Sequence, residues 1–149
     1  MELKTKARGT IEVADDAILT IPEGLFGFED YTKYALIESE YEPFLWLQSC
    51  EDSNLAFLIV DPFLISTEYE ADIDDASLAK IGVKKPEDII IMTIVTVPNG
   101  GGKITANFQG PLVINKSNKM CLQAILNDNR WSTKVDIMAA LQAKGGKQC

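Results

Sequence analysis

The sequence predicts an all-β fold: a small antiparallel β-barrel-like domain with one short internal helix and a C-terminal helix. Three observations indicate this fold. About nine or ten short apolar segments alternate with turns at the intervals typical of sandwiches and barrels. Residues 89–97 are dense in β-branched side chains, which favour strands. Helical spacing of apolar residues dominates only after residue 132, and 149 residues suffice for one compact core.

The first half of the chain is predicted to be a series of strands. Their apolar segments flank a turn at 8–10 and then occupy residues 17–21, 31–37, 44–49 and 55–60. The last two bracket 51–54, which predicts a hairpin. Pro62 cannot donate a ladder hydrogen bond and therefore ends the final strand of this series.

The second half begins with the internal helix, from Asp74 or Asp75 to Lys80, which Gly82 ends. Residues 89–97 are apolar on both faces, so this strand is expected to be central and covered on both sides. Further strands are predicted at residues 104–108, 112–115 and 120–126. From residue 133 a helix is predicted, with Ser132 or Thr133 as N-cap, so the chain divides into a β domain at 1–132 and a helical extension with a tail at 133–149.

Residues 21–30 form a loop that combines turn residues with large apolar side chains. Pro22 ends a strand, and Gly24 allows a turn that other residues cannot adopt. Leu25, Phe26 and Phe28 are costly to expose. Either they plug one end of the β core or they form a contact site for another protein.

The charge of the chain bears on its partners. The formal net charge is -8 and the sequence pI is about 4.5. Such a chain repels phosphate groups, so direct binding to nucleic acid or to anionic membranes is not expected, whereas a basic protein surface is a suitable partner. The alternative is that the acidic residues only keep the protein in solution.

Composition also disfavours metal and cofactor sites. Histidine is absent, and Cys50, Cys121 and Cys149 lie far apart with no C-x-x-C pair, so we expect no zinc site and no cofactor. The first residues contain no apolar signal segment and no apolar run is long enough to span a bilayer, so we expect a cytoplasmic protein with reduced thiols.

Some individual side chains suggest chemistry or binding. Asp61 and Glu29 could act as a hydrolytic carboxylate pair if a cleft brought them together, although Asp61 at a strand end more commonly accepts backbone N–H bonds. Trp46 is either a core residue or an interface anchor. Asn107 could bond the backbone of an added peptide, or simply face solvent.

Seven sequence blocks, taken in order, resemble the flagellar assembly factor FliW family. The resemblance covers nearly everything from Leu3 to about Trp131, and the ordered combination is specific although each block alone is weak. The blocks are Pro22-Glu23-Gly24-x-x-Gly27-Phe28-Glu29, Phe44-Leu45-Trp46-Leu47-Gln48-Ser49, Leu55-Ala56-Phe57 with Asp61-Pro62-Phe63, Pro86-Glu87-Asp88, Ile94-Val95-Thr96-Val97-Pro98, Thr105-Ala106-Asn107 and Pro111-Leu112-Val113-Ile114-Asn115.

The resemblance implies a small cytoplasmic β-barrel-like protein that is not an enzyme. It implies binding to flagellin and, once flagellin is exported, binding to the translational regulator CsrA with allosteric inhibition. We expect a monomer when the protein is free. The expected contact residues are Phe26, Phe28, Phe44, Trp46 and Asn107.

Members of the family commonly end near residues 127–132, so residues 133–149 are expected to be an addition. The remaining hypotheses are a carboxylate-based hydrolase and a purely structural β module whose hydrophobic loop is only a plug.

Overall fold

A computed structural model describes residues 1–98 and 100–146, and it confirms the all-β fold with a C-terminal helix. The strands are β1 (Glu2–Thr5), β2 (Gly9–Glu12), β3 (Ile18–Thr20), β4 (Lys33–Glu38), β5 (Leu45–Ser49), β6 (Ala56–Val60), β7 (Ile89–Thr96), β8 (Thr105–Ala106), β9 (Leu112–Asn115), β10 (Cys121–Gln123) and β11 (Val135–Asp136). The helices are α1 (Pro62–Ile65), α2 (Asp75–Lys80) and α3 (Ile137–Gly146).

Nine of these strands form one antiparallel sheet, and β1 with β2 forms a separate hairpin. The main path of the sheet runs β10-β9-β7-β6-β5-β4-β3, with β8 and β11 attached beside β7. One edge of β7 pairs with β6, and its other edge pairs with β9 and then β8. The prediction that residues 89–97 form a central strand is therefore confirmed.

The two ends of the sheet path come together. Thr20, at the end of β3, forms an isolated parallel bridge with Met120, and its N–H donates to the carbonyl oxygen of Lys119 at 2.9 Å. Within residues 1–98 and 100–146 this bridge is the only pairing across that gap. The sheet is barrel-like but is not closed by a continuous ladder.

The main core lies on one side of this sheet. Successive residues of a strand point to opposite faces, and Leu45 and Leu47 accordingly pack into this core while Trp46 points to the other face. Its fully buried members include Leu19, Ile21, Leu25, Tyr34, Leu47, Ile59, Leu112 and Cys121. Burial, with the nearby charge of Glu51, raises the pKa of Tyr34 to about 12.

Three smaller clusters cover the opposite face. The β1–β2 hairpin packs over Ala35 and Ile37, and α2 lies beside a cluster that contains Val113. The third cluster joins α1 and the start of α3 to buried Tyr69, whose hydroxyl donates to the carbonyl oxygen of Phe108 at 2.8 Å. The sheet therefore has apolar layers on both faces.

Glu51 ties the β5–β6 turn to the start of β4. One carboxylate oxygen accepts the N–H groups of Thr32 at 2.7 Å and Lys33 at 3.0 Å. These backbone bonds favour the charged form of the carboxylate and lower its pKa below the ordinary value. The predicted hairpin is thus held to the adjacent strand by a side chain from its own turn.

The structure corrects three details of the prediction. Pro62 ends β6 as expected, but it also begins a second internal helix, α1, capped by the Asp61 carboxylate. The strand expected at 104–108 contains only Thr105–Ala106. The C-terminal helix begins at Ile137, not at residue 133, because Val135–Asp136 pairs with β8 and Asp136 accepts the Ala139 N–H at 3.1 Å.

Residues beyond 132 are thus attached to the β domain through β11 and Ile137, which is buried. Cys149 and the end of the predicted tail lie outside the described residues.

Candidate protein-binding surface

The hydrophobic loop at 21–30 is a compact double turn. The Gly24 N–H donates to the Ile21 carbonyl at 2.9 Å, and the Phe28 N–H donates to the Leu25 carbonyl at 2.8 Å. Gly24 has a φ of +69°, which favours glycine. The turns direct Leu25 into the main core, where it is 1% exposed. Of Leu25, Phe26 and Phe28, Leu25 is the side chain that plugs the core.

The two phenylalanines of the loop are placed differently. Phe26 is 55% exposed, and its N–H donates to the side-chain oxygen of Gln123 at 3.0 Å. Phe28 is 37% exposed, with its ring edge-to-face against Phe57 at 5.1 Å between centroids. Phe26 therefore presents most of its apolar surface to solvent, whereas Phe28 is partly a core residue.

The other three predicted contact residues lie apart from this loop. Phe44 is half-buried against the Tyr69 cluster, and Trp46 is half-buried beneath the β1–β2 hairpin. The Asn107 side-chain oxygen accepts the Gly110 N–H at 2.8 Å. The structure brings Phe26 and Phe28 together in one loop but places the remaining three elsewhere on the sheet.

Phe26 also borders a groove that sequence reasoning missed. The groove is open to solvent and has a volume of about 570 Å³. One wall is the extended chain after β10 and the other is the segment that enters α2. The lining residues are Phe26, Asp72, Ile73, Asp74, Ser77, Gln123, Ala124, Ile125, Leu126, Asn127 and Asp128. The two walls are far apart in sequence, so no local motif could reveal them.

The groove is acidic. Asp74 caps α2 by accepting the Ser77 N–H at 2.7 Å, and bonds to Ser77 lower the pKa of its carboxyl. The Asp128 carboxylate accepts hydrogen bonds from the Arg130 guanidinium on both oxygens, at 2.6 and 3.0 Å on Oδ2 and at 3.1 Å on Oδ1, and Arg130 lowers its pKa. Asp72 is exposed. The lowered pKa values keep the Asp74 and Asp128 carboxylates ionised at neutral pH.

The structure does not favour the hydrolase hypothesis. An Asp61 oxygen accepts the Phe63 N–H at 2.9 Å, as expected for a carboxylate at a strand end. Glu29 lies in the exposed part of the loop. With Asp61 turned to its own backbone, the proposed acid–base pair loses one member.

In residues 1–98 and 100–146, no group of three or more His, Cys, Asp or Glu side chains is placed to hold a metal ion. Over the same part of the chain, no helix has both the length and the apolar character to cross a membrane.

Comparison with known proteins decides the family. The family model described as "FliW protein" matches residues 2–137. The chain belongs to the FliW family. A FliW-family relative from Treponema denticola, named "Flagellar assembly factor FliW", is 52% identical over 145 residues, which cover 97% of this chain and 99% of that protein. A relative of the same name from Treponema pallidum is 41% identical over 100% of both chains.

A solved structure agrees with this FliW assignment. It is described as the crystal structure of the flagellar assembly factor FliW, with a TM-score of 0.84 and 31% identity over 92% of this chain and 96% of that one. The match to the T. pallidum protein covers 100% of both chains, so it includes residues 133–149. The names of these FliW relatives describe assembly factors and not enzymes.

Proposed function

We propose that this protein is a flagellar assembly factor that binds flagellin and, when flagellin is depleted, binds and allosterically inhibits a CsrA-type translational regulator. The observation that carries the proposal is the match, over nearly the whole chain, to relatives named flagellar assembly factor FliW. We place this exchange of partners in the cytoplasm, with the free protein as a monomer.

The physical basis of the proposed function is binding without a reaction. An exposed aromatic side chain on a rigid loop supplies contact area at little cost in side-chain entropy. Phe26 meets this description because Leu25 and the two turn bonds hold its backbone. The net charge of -8 favours basic partner surfaces and speeds their association.

We rank the five proposed contact residues by exposure. Phe26 is the main anchor and Phe28 supports it from the same loop. Phe44, Trp46 and Asn107 are half-buried and already have partners within the fold, so each contributes less binding free energy to a complex. No observation favours the hydrolase as a second function.

The test is a titration of the purified protein against flagellin and, separately, against a CsrA-type regulator, measured by calorimetry. Replacing Phe26 by Ala should weaken binding of at least one partner about tenfold or more, as expected for an interface anchor. Tyr41→Ala is the matched control, since Tyr41 is 61% exposed in a different loop.

Both variants should melt at the temperature of the parent protein. Failure of the parent protein to bind either partner at about ten micromolar would overturn the proposed function. An equal loss of affinity in the two variants would overturn the role of Phe26.

A further inference from the structure

The chain after β10 continues as an extended edge of the sheet. The Ala124 N–H donates to the Pro111 carbonyl and the Leu126 N–H to the Gln109 carbonyl, both at 2.8 Å. Alternate residues of an extended chain direct their backbone groups to opposite edges. The backbone groups of Ile125 and Asn127 therefore point away from the sheet, and they make no hydrogen bond within the part of the chain that the structure describes.

This edge lacks the usual protection against strand addition. Natural edge strands are commonly blunted by lysine, proline, a bulge or a covering segment. Residues 123–127 contain neither lysine nor proline, and Ile125 is 66% exposed. Instead of being covered, the edge borders the 570 Å³ groove, with Phe26 at its side.

The charge of the groove restricts what can occupy it. Asp72, Asp74 and Asp128 line the groove, and the nearby cation Arg130 is already bonded to Asp128 and to Glu70, the latter at 3.4 Å. An acidic strand entering here would meet like charge on both walls. A segment with lysine or arginine side chains would meet complementary charge.

We propose that the groove binds an extended, basic segment of a partner protein, which pairs as an added β-strand with residues 123–127. Alternate apolar side chains of that segment pack on Phe26 and Ile125, and the intervening basic side chains face the groove carboxylates. The inference rests on the proposed function only in that the occupant is a protein segment.

The first experiment measures backbone protection directly. The probe is an eight-residue peptide, capped at both ends, in which lysine alternates with valine, and amide hydrogen exchange is followed residue by residue by NMR. At saturating peptide, exchange at Ile125 and Asn127 should slow about tenfold or more, because free amides become ladder donors. A peptide in which glutamate replaces lysine should give no protection.

The second experiment uses variants that separate backbone from side chain. Ile125→Pro removes the outward N–H, which has no partner in the fold, and Ile125→Ala retains it. The proline variant should bind the lysine peptide at least about five times more weakly than the alanine variant. Asp72→Asn should weaken binding more than Asp16→Asn, an equal change of net charge on an exposed residue elsewhere.

The outcomes distinguish this inference from the proposed function. Saturable binding without protection of Ile125 and Asn127, as a helical occupant would give, overturns strand addition. Equal affinities of the proline and alanine variants, or no peptide binding at about one millimolar, overturn it as well. If flagellin or a CsrA-type regulator still binds in that case, the proposed function stands without the added strand.

Discussion

The position of Gly24 leads to a sharp prediction about stability. A Cβ atom at Gly24 would lie 2.5 Å from the Cα of Glu29 and 2.7 Å from its carbonyl oxygen. Both are backbone atoms and cannot rotate away. Gly27 lies three residues further on at φ +87°, but a Cβ there would have no neighbour within 4 Å. Both glycines have a positive φ that strains any other residue. Only at Gly24 would an added Cβ also collide with backbone atoms.

The expected cost follows from these contacts. Alanine in the left-handed region costs about 1 to 2 kcal/mol, and this is the whole effect expected for Gly27→Ala. Gly24→Ala adds a clash that only opening of the 21–30 loop can relieve, which withdraws buried Leu25 at about 1.5 to 3 kcal/mol. We therefore expect Gly24→Ala to cost about 2.5 to 5 kcal/mol.

Urea unfolding of the parent and both variants measures these costs. For a chain of this size, Gly24→Ala should also lower the Tm by about 2 to 4 °C per kcal/mol. If Gly24→Ala proves no more destabilising than Gly27→Ala, the close approach to Glu29 does not hold the loop. The argument that Phe26 lies on a rigid loop would then be refuted as well.

Two further predictions concern hydrogen bonds made by single side chains. Replacing Glu51 by Gln should lower the Tm at pH 7, and this difference should shrink as the pH falls below about 4.5. Folding lowers the pKa of Glu51, so its stabilisation is fully present above the unfolded-state value and is lost as the pH falls through the folded-state value. A difference in Tm that is unchanged at pH 3 would contradict this. Tyr69→Phe should cost about 1 to 2 kcal/mol in urea unfolding, since it leaves the buried Phe108 carbonyl without its hydroxyl donor. A change below about 0.5 kcal/mol would show that this bond contributes little.

Local chemistry explains which elements could be predicted from sequence. The run at 89–97 has the β-branched density of a buried strand, and the acidic N-terminus and Gly82 bound α2. Such elements depend mainly on their own residues, and their predicted positions are confirmed within one or two residues.

The errors occur where distant contacts determine the structure. Residues near 133 have helical spacing, yet Val135 pairs with Ala106 of β8 and delays the helix to Ile137. Pro62 ends a strand and begins a helix, and only the first role was predicted. Tertiary pairing overrode local preference in the first case.

The candidate binding surface was predictable only in part. Proline, glycine and phenylalanine in one loop marked residues 21–30, and exposure of Phe26 agrees with a contact role for this loop. The groove beside it joins residues 72–77 to 123–128. No periodicity or motif in either segment indicates the other, because their proximity results from the order of strands in the sheet.

The bridge between Thr20 and Met120 has a consequence for folding. It joins positions about 100 residues apart, so forming it has an entropic cost of loop closure. A single β-bridge offsets little of this cost. Phe26 follows β3 on one side of this junction, and Gln123 lies in β10 on the other. A partner that contacts both sides would hold the junction shut. Its binding free energy would then add to the stability of the whole sheet.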